Sequence, residues 1–203
     1  MSSEPADSPE IASAVAAACE LFWENGYEAT SIEDVVQATG VNRYALYKAF
    51  GGKRELFLAA IDAYFEQGRA IVMAAFAEPG LSPVQAIRRV FAWGTGEMAR
   101  RKSGCLICNL ALEHSRGDPV IHERMESYLA QMRSGYAGAL EKTRAQGRLN
   151  PNITPEEGAD ILMTLKLGLG ERARAGAAFE EMMASVDAVL ALLEAPKQST
   201  PLA

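Results

Sequence analysis

Residues 31–53 read SIEDVVQATGVNRYALYKAFGGK, and the punctuation of this stretch decides the fold. Ser31 is placed to cap a helix: its hydroxyl accepts from an orphan backbone N–H, and Asp34 stands at the reciprocal capping-box position. Ile32, Val35 and Val36 then form an apolar stripe at helical spacing. Thr39-Gly40-Val41 supplies a turn, with Gly40 free to take a left-handed backbone. Asn42 caps a second short helix whose inner side is the i,i+4 pair Leu46 and Phe50. Arg43, Tyr44, Tyr47 and Lys48 point the other way. This is the logic of a helix-turn-helix, whose second helix enters the DNA major groove N-terminus first. A purely structural helical hairpin has the same outline, so the flanking chain must choose between them.

The chain has 203 residues, 49% hydrophobic and 23% charged, the balance of an ordinary globular protein. No apolar run is long enough to span a bilayer, and the acidic start MSSEPADSPE lacks the basic and apolar regions of a secretory signal. Three cysteines, an odd number, make no disulfide framework. A cytoplasmic protein with reduced thiols is expected. The net charge is −6, and residues 1–60 alone carry −5, a total that by itself argues against nucleic acid. Every positive charge in those sixty residues (Arg43, Lys48, Lys53 and Arg54) falls on or just after the second helix of the motif. An acidic body with a basic tip binds DNA in one orientation and has little non-specific affinity.

Outward from the motif the chain reads as helix throughout. Residues 1–9 are expected to be a disordered leader. A helix from Glu10 to Asn25 has Ile11, Val15, Ala18, Leu21 and Phe22 on its stripe and ends at Gly26. Lys53 to Ala77 is one long helix. Ser82-Pro83, Asp118-Pro119 and Thr154-Pro155 each read as a cap, with Pro at the first helical position in the first and last and Val120 as the first helical residue in the middle one. They open helices reaching to Arg101, Gln146 and Gly176. Cys105 to Ser115 is a short apolar helix, Phe179 to Leu193 is the last, and the tail APKQSTPLA is expected to be disordered. The expectation is an all-α chain of nine helices with no strand and no repeat.

This order, with this motif, resembles the TetR family of transcriptional regulators. The resemblance rests on Leu21-Phe22 with Gly26-Tyr27, on Thr30-Ser31-Ile32, on Gly40-Val41, and on Leu46-Tyr47-x-x-Phe50-x-x-Lys53-x-x-Leu56. It covers roughly residues 11–58, and beyond that it extends to helix number and length. Gly104-Cys105-Leu106 with Asn109 is similar to one recurrent class of C-terminal domains. The resemblance implies a DNA-binding domain over residues 10–55 and an effector-binding and dimerisation domain over 56–194. It also implies a homodimer on a palindromic double-stranded operator, no enzymatic activity, no cofactor and no metal.

Carried over position by position, Arg43, Tyr44 and Ala45 read base edges, with Arg43 bidentate to guanine and the other two against a thymine methyl. Tyr47, Lys48 and Lys53 hold phosphates. Thr30 and Ser31 donate to a phosphate near a helix N-terminus, and Asn42 completes the set at the head of the reading helix. One departure is plain: where relatives often carry Arg or Lys just before the first helix, this chain has Ser8-Pro9-Glu10.

The larger bundle is expected to hold a small apolar or weakly polar effector among Phe91, Trp93, Met98, Cys105, Cys108, Leu112, Tyr128, Met132 and Tyr136. The same residues at helical spacing also read as plain core. Cys105-x-x-Cys108 at a helix start has three readings: a dipole-stabilised thiolate that senses oxidants or electrophiles, two small buried hydrophobes, or part of a metal site, for which His114 and His122 are available in sequence but no second C-x-x-C is. Gly168, Gly170, Ala173, Gly176 and Ala177, with an apolar last helix, read as a close-packing dimer face. Rival classes are an enzyme, for which no catalytic motif is present, and a helical interaction protein whose DNA head has decayed.

Overall fold

The computed structural model describes residues 8–101, 103–114 and 118–195, the side chains of 112–114 excepted. Among the described residues the chain forms nine helices: α1 Pro9–Asn25, α2 Ile32–Thr39, α3 Arg43–Phe50, α4 Lys53–Ala77, α5 Pro83–Arg101, α6 Leu106–His114, α7 Pro119–Ala145, α8 Pro155–Arg174 and α9 Phe179–Leu193. The expected all-α order is what is found. An isolated antiparallel bridge pairs Leu149 with Glu194. Among the described residues no helix is long and apolar enough to cross a membrane. The chain forms two compact units: residues up to Arg69 with Asn109–Arg124, and Ala70–Cys108 with Met125 onward.

In the first unit the core is aromatic. Phe22 meets Phe57 edge-on at 4.8 Å between centroids, Tyr27 lies 4.7 Å from Phe57, and Trp23 meets Tyr64 at 5.1 Å. Phe22, Val35, Leu46, Leu56 and Phe57 are all buried, so one anchor from each of α1 to α4 enters the same core. Burial of each large side chain contributes about 1.5–3 kcal/mol. The leader expectation needs correction at its end. Ser8 N-caps α1, accepting from the Ile11 N–H at 3.3 Å, and Pro9 is the first helical residue. Ser8-Pro9 is the same cap-and-proline pair as Ser82-Pro83, and it starts α1 one residue before the expected Glu10. Residues 1–7 lie outside the described set.

In the second unit, Leu140, Leu162, Leu169, Met182 and Val186 are buried on α7, α8 and α9. Two bidentate pairs pin the helices at their margins. Arg88 on α5 grips Asp187 on α9 at 2.6 and 3.0 Å, and Arg133 on α7 grips Asp160 on α8 at 2.5 and 2.9 Å. The loop after α7 is clasped to the end of α9: the Asn150 N–H donates to the Leu193 carbonyl at 2.9 Å, and the Ala195 N–H to the Arg148 carbonyl at 2.8 Å. Ala195 is therefore tied down, while the rest of the expected tail, 196–203, lies outside the described residues.

Candidate nucleic-acid interface and effector region

The reading helix is framed by local chemistry. Ser31 and Asp34 form the complete capping box of α2: the Asp34 N–H donates to Ser31 Oγ at 3.2 Å, and the Ser31 N–H donates to Asp34 Oδ2 at 2.7 Å. Gly40 ends α2 in the left-handed conformation, φ 70°, a backbone that side-chain-bearing residues rarely adopt. Asn42 caps α3, its Oδ1 accepting from the Tyr44 N–H at 2.8 Å. Leu46 is the fully buried anchor of α3, and Phe50 is half-buried. The opposite face is open: Tyr44 is 75% exposed and Tyr47 41%, with Arg43 and Lys48 also exposed and Ala45 half-buried.

The cations at the tip are unequally free. Arg43 Nη1 lies 3.1 Å from Glu33 Oε2 on α2, and its guanidinium stands over the Tyr47 ring, 5.5 Å from the centroid. Lys53 is half-buried, with Nζ 4.3 Å from the Tyr27 ring centroid and donating to the Glu28 carbonyl at 3.3 Å. Arg54 is bidentate to Asp118, at 2.9 to 3.2 Å. Asp118 also caps α7, accepting from the Val120 N–H at 3.0 Å. Burial pushes the Asp118 carboxyl up, but the hydrogen bonds from Arg54 and the α7 amides outweigh it, and its pKa falls below the ordinary value. Among the described residues Lys48 makes no ion pair.

Two expected phosphate donors are already committed. Thr30 is buried, and its hydroxyl donates to the Gly26 carbonyl at 2.9 Å and the Leu21 carbonyl at 3.2 Å. It closes the α1–α2 junction and offers nothing to a phosphate. The Ser31 hydroxyl is exposed but donates to Asp34 Oδ2 at 2.7 Å, so a phosphate would have to displace a carboxylate. Sequence reasoning missed Glu33 as the partner of Arg43 and Asp118 as the partner of Arg54. The first pair is ten residues apart and the second sixty-four, beyond any local spacing rule.

In the second unit six of the expected effector residues are core: Phe91, Met98, Cys105, Tyr128, Met132 and Tyr136 are buried, while Trp93 and Cys108 are half-buried. Leu112 lies on α6, with its side chain outside the described set. The Phe91 and Tyr136 rings stack at 5.8 Å. The buried hydroxyls of Tyr136 and of Thr95, a residue the sequence did not single out, have no hydrogen-bond partner among the described residues. A cavity of about 520 Å³ opens elsewhere in this unit, against the end of α4, the start of α5 and the second half of α7, and none of the nine expected residues lines it.

Cys105 is buried at the start of α6, Cys108 is half-buried one turn on, and both are free thiols. The hydrogen bond from Cys108, aided by the Lys166 charge, holds the Cys105 thiol down at about 6 against its burial. The same bond, with burial, pushes the Cys108 thiol up. Both pack on α8 where it lacks a side chain. A Cβ added at Gly170 would lie 2.6 Å from Cys105 Cβ and 3.2 Å from Cys108 Sγ. This revises the expected dimer face, since Gly170 and Ala173 are buried in the unit's own core and Gly176, φ 88°, lies in the turn after α8. Gly168 remains outward, and on the same helix pair Ile161 is 41% exposed and Leu192 69%.

Comparison with known proteins agrees with this geometry. A family model described as bacterial regulatory proteins, tetR family, matches residues 14–60, and one described as tetracyclin repressor-like, C-terminal domain, matches residues 83–189. The chain is 33% identical over 180 residues (87% of its length and 92% of the relative's) to the uncharacterized HTH-type transcriptional regulator YezE of Bacillus subtilis (strain 168). It is 30% identical over 168 residues, 82% of its length and 80% of the relative's, to the HTH-type transcriptional repressor ComR of Escherichia coli (strain K12). A cysteine-substituted form of the regulator CifR, complexed with 26-base-pair operator DNA, superposes with a TM-score of 0.75 at 23% identity, covering 90% of this chain and 95% of that one. This last likeness is one of fold.

Proposed function

The chain belongs to the TetR family of bacterial regulatory proteins, and from that premise we propose that it is a homodimeric repressor, held on a palindromic operator by α3 and released by a small-molecule effector. DNA-binding transcriptional regulation is the activity of the family. Repression is the sign carried by ComR, and operator DNA is what CifR was crystallised with. The observation that carries the reading is the outward face of α3. Arg43, Tyr44, Tyr47 and Lys48 stand exposed on a helix fixed by a cap, a left-handed turn and a buried anchor. A decayed head would not keep all three.

In this reading residues 10–55 are the DNA-binding domain and 56–194 bind effector and partner, without enzymatic activity, in the cytoplasm. Arg43, Tyr44 and Ala45 meet base edges, and Tyr47 and Lys48 meet phosphates. Asn42 and Ser31 position the two helices, and Lys53 serves the backbone only if it leaves the Tyr27 ring. The dimer uses Ile161, Gly168 and Leu192, the outward apolar and small positions of α8 and α9. The effector works by differing in affinity between the operator-bound and released states, with α4, which is common to both units, as the element it biases.

The test is selection of bound sequences from random DNA, followed by salt titration of the selected site. The expected result is a two-fold symmetric sequence with half-sites about one helical turn apart and affinity that falls as salt rises. Failure to enrich any sequence, with no salt-dependent binding, would overturn the reading.

A further inference from the structure

The cavity of the second unit is walled by Met73 and Phe76 from the end of α4, by Leu81, and by the α7 backbone at Gly135 and Gly138. Its volume, about 520 Å³, falls within the roughly 300–1,000 Å³ of small-molecule sites. The two glycines lie three residues apart, on one face of α7, and each lowers helix propensity by about 1 kcal/mol. Their effect is a face without side chains. A Cβ at Gly135 would lie 3.4 Å from the Phe76 ring, while one at Gly138 would meet nothing within 4 Å. Met73, 63% exposed, leaves a large apolar side chain to water beside this opening.

Charge gives the cavity a sign. Lys142 is the single charged side chain among its walls, and the polar walls Ser134 and Gln146 can both donate hydrogen bonds. The nearest carboxylates in sequence are neutralised elsewhere, Glu141 by Arg144 at 2.7 Å and Glu78 by Arg89 at 2.5 Å. Among the described residues Lys142 makes no ion pair. An apolar slot with one available ammonium suits a molecule that is apolar along its body and anionic at one end.

We infer that this cavity binds an amphipathic carboxylate, its aliphatic or aryl body against Met73, Phe76 and Leu81 and its carboxylate on the Lys142 ammonium. The inference deepens the effector reading above by supplying a site and a ligand class, and it rests on that reading for its consequence at the operator. It also departs from the apolar or weakly polar effector expected from the sequence, since six of the nine residues that suggested it are buried.

The experiment is isothermal titration of the full-length, DNA-free protein with decanoate, decan-1-ol and decyltrimethylammonium, the two ionic chains below their micelle concentrations and the alcohol below its solubility limit. Decanoate should bind saturably and at least about tenfold tighter than decanol, a difference of about 1.4 kcal/mol, with the cationic chain weakest. Lys142→Gln should bring decanoate to the level of decanol. Gly138→Leu, which adds a side chain from an unhindered position, should abolish binding of decanoate with helical content unchanged by circular dichroism. Equal affinity of the unsubstituted protein for decanoate and decanol, no saturable binding of decanoate, a decanoate affinity unchanged by Lys142→Gln, or decanoate binding that survives Gly138→Leu would each overturn the assignment. Operator binding is measured separately on the same preparation. A chain that binds decanoate but no selected DNA sinks the repressor reading and leaves the cavity assignment standing. A chain that binds DNA but no decanoate sinks the cavity assignment alone.

Discussion

Arg43 has two partners before it meets DNA. Its guanidinium is held between the Glu33 carboxylate and the Tyr47 ring, so one edge is occupied and the remaining donors are already oriented. An exposed pair of this kind adds little to stability; its value lies in placement. Arg43→Ala should cost about 1–3 kcal/mol on the selected operator and flatten the preference at one base position, measured by binding to single-base operator variants. Lys48→Ala should weaken binding to every sequence alike and lower the salt slope by about one; an unchanged slope would remove Lys48 from the phosphate contacts. Thr30→Val should lower stability by about 1–3 kcal/mol in urea titration, through the loss of the bifurcated hydrogen bond of its hydroxyl, and leave the salt slope where it was. The caps at Ser31 and Asn42 were legible in the sequence because each side chain bonds an amide two or three residues away. The commitment of Thr30 was not, because one of its acceptors, the Leu21 carbonyl, lies nine residues back, across a turn.

At the scale of the helix, the boundaries were legible almost to the residue, since proline at the first position and glycine past the last leave a strong local record. Which glycine serves which neighbour was not legible. On α8 the small residues look equivalent in sequence, yet Gly170 receives the start of α6 while Gly168 has nothing within 4 Å of an added Cβ. The two should therefore respond oppositely to alanine. Gly168→Ala should stabilise the isolated chain by up to about 1 kcal/mol through helix propensity. Gly170→Ala should lower stability by about 1–3 kcal/mol through overpacking against Cys105. Urea midpoints at low protein concentration decide the matter; a Gly170→Ala midpoint above wild type would mean that α6 yields there. The effector region shows the same limit. Helical spacing identified Phe91, Tyr128 and Tyr136 as inward-facing, but spacing does not say whether an inward face meets a ligand or another helix.

For the whole molecule, the exposed Ile161 and Leu192 are the test of assembly. Leu192→Glu should shift the dimer to monomer in sedimentation equilibrium while helical content is kept, and operator affinity should fall with it, because one reading head holds half of a two-fold site. Acid should act on the fold itself. The hydrogen bonds of Ser31, Thr154, Arg133 and Arg88 hold Asp34, Glu157, Asp160 and Asp187 below their ordinary carboxylate values. A carboxylate whose folded pKa is depressed contributes stability that is fully present above its unfolded value. That contribution is lost as pH falls through the folded one. Urea midpoints should therefore be flat near neutrality and decline below the ordinary range of 3.8 to 4.5. The Arg133→Gln and Arg88→Gln variants, which lack the charged guanidinium, should decline less steeply.

Asp118 holds Arg54 at the start of α4 and at the same time caps α7, and that double duty has a genetic consequence. A single base change to Asn keeps the cap, since Asn is as good an N-cap as Asp, and removes the ion. A single base change to Ala removes both. The two alleles therefore form a graded series at one codon. In a screen for altered regulation the Asn allele should present as a change in operator response with normal protein levels, and the Ala allele as the same change with reduced abundance.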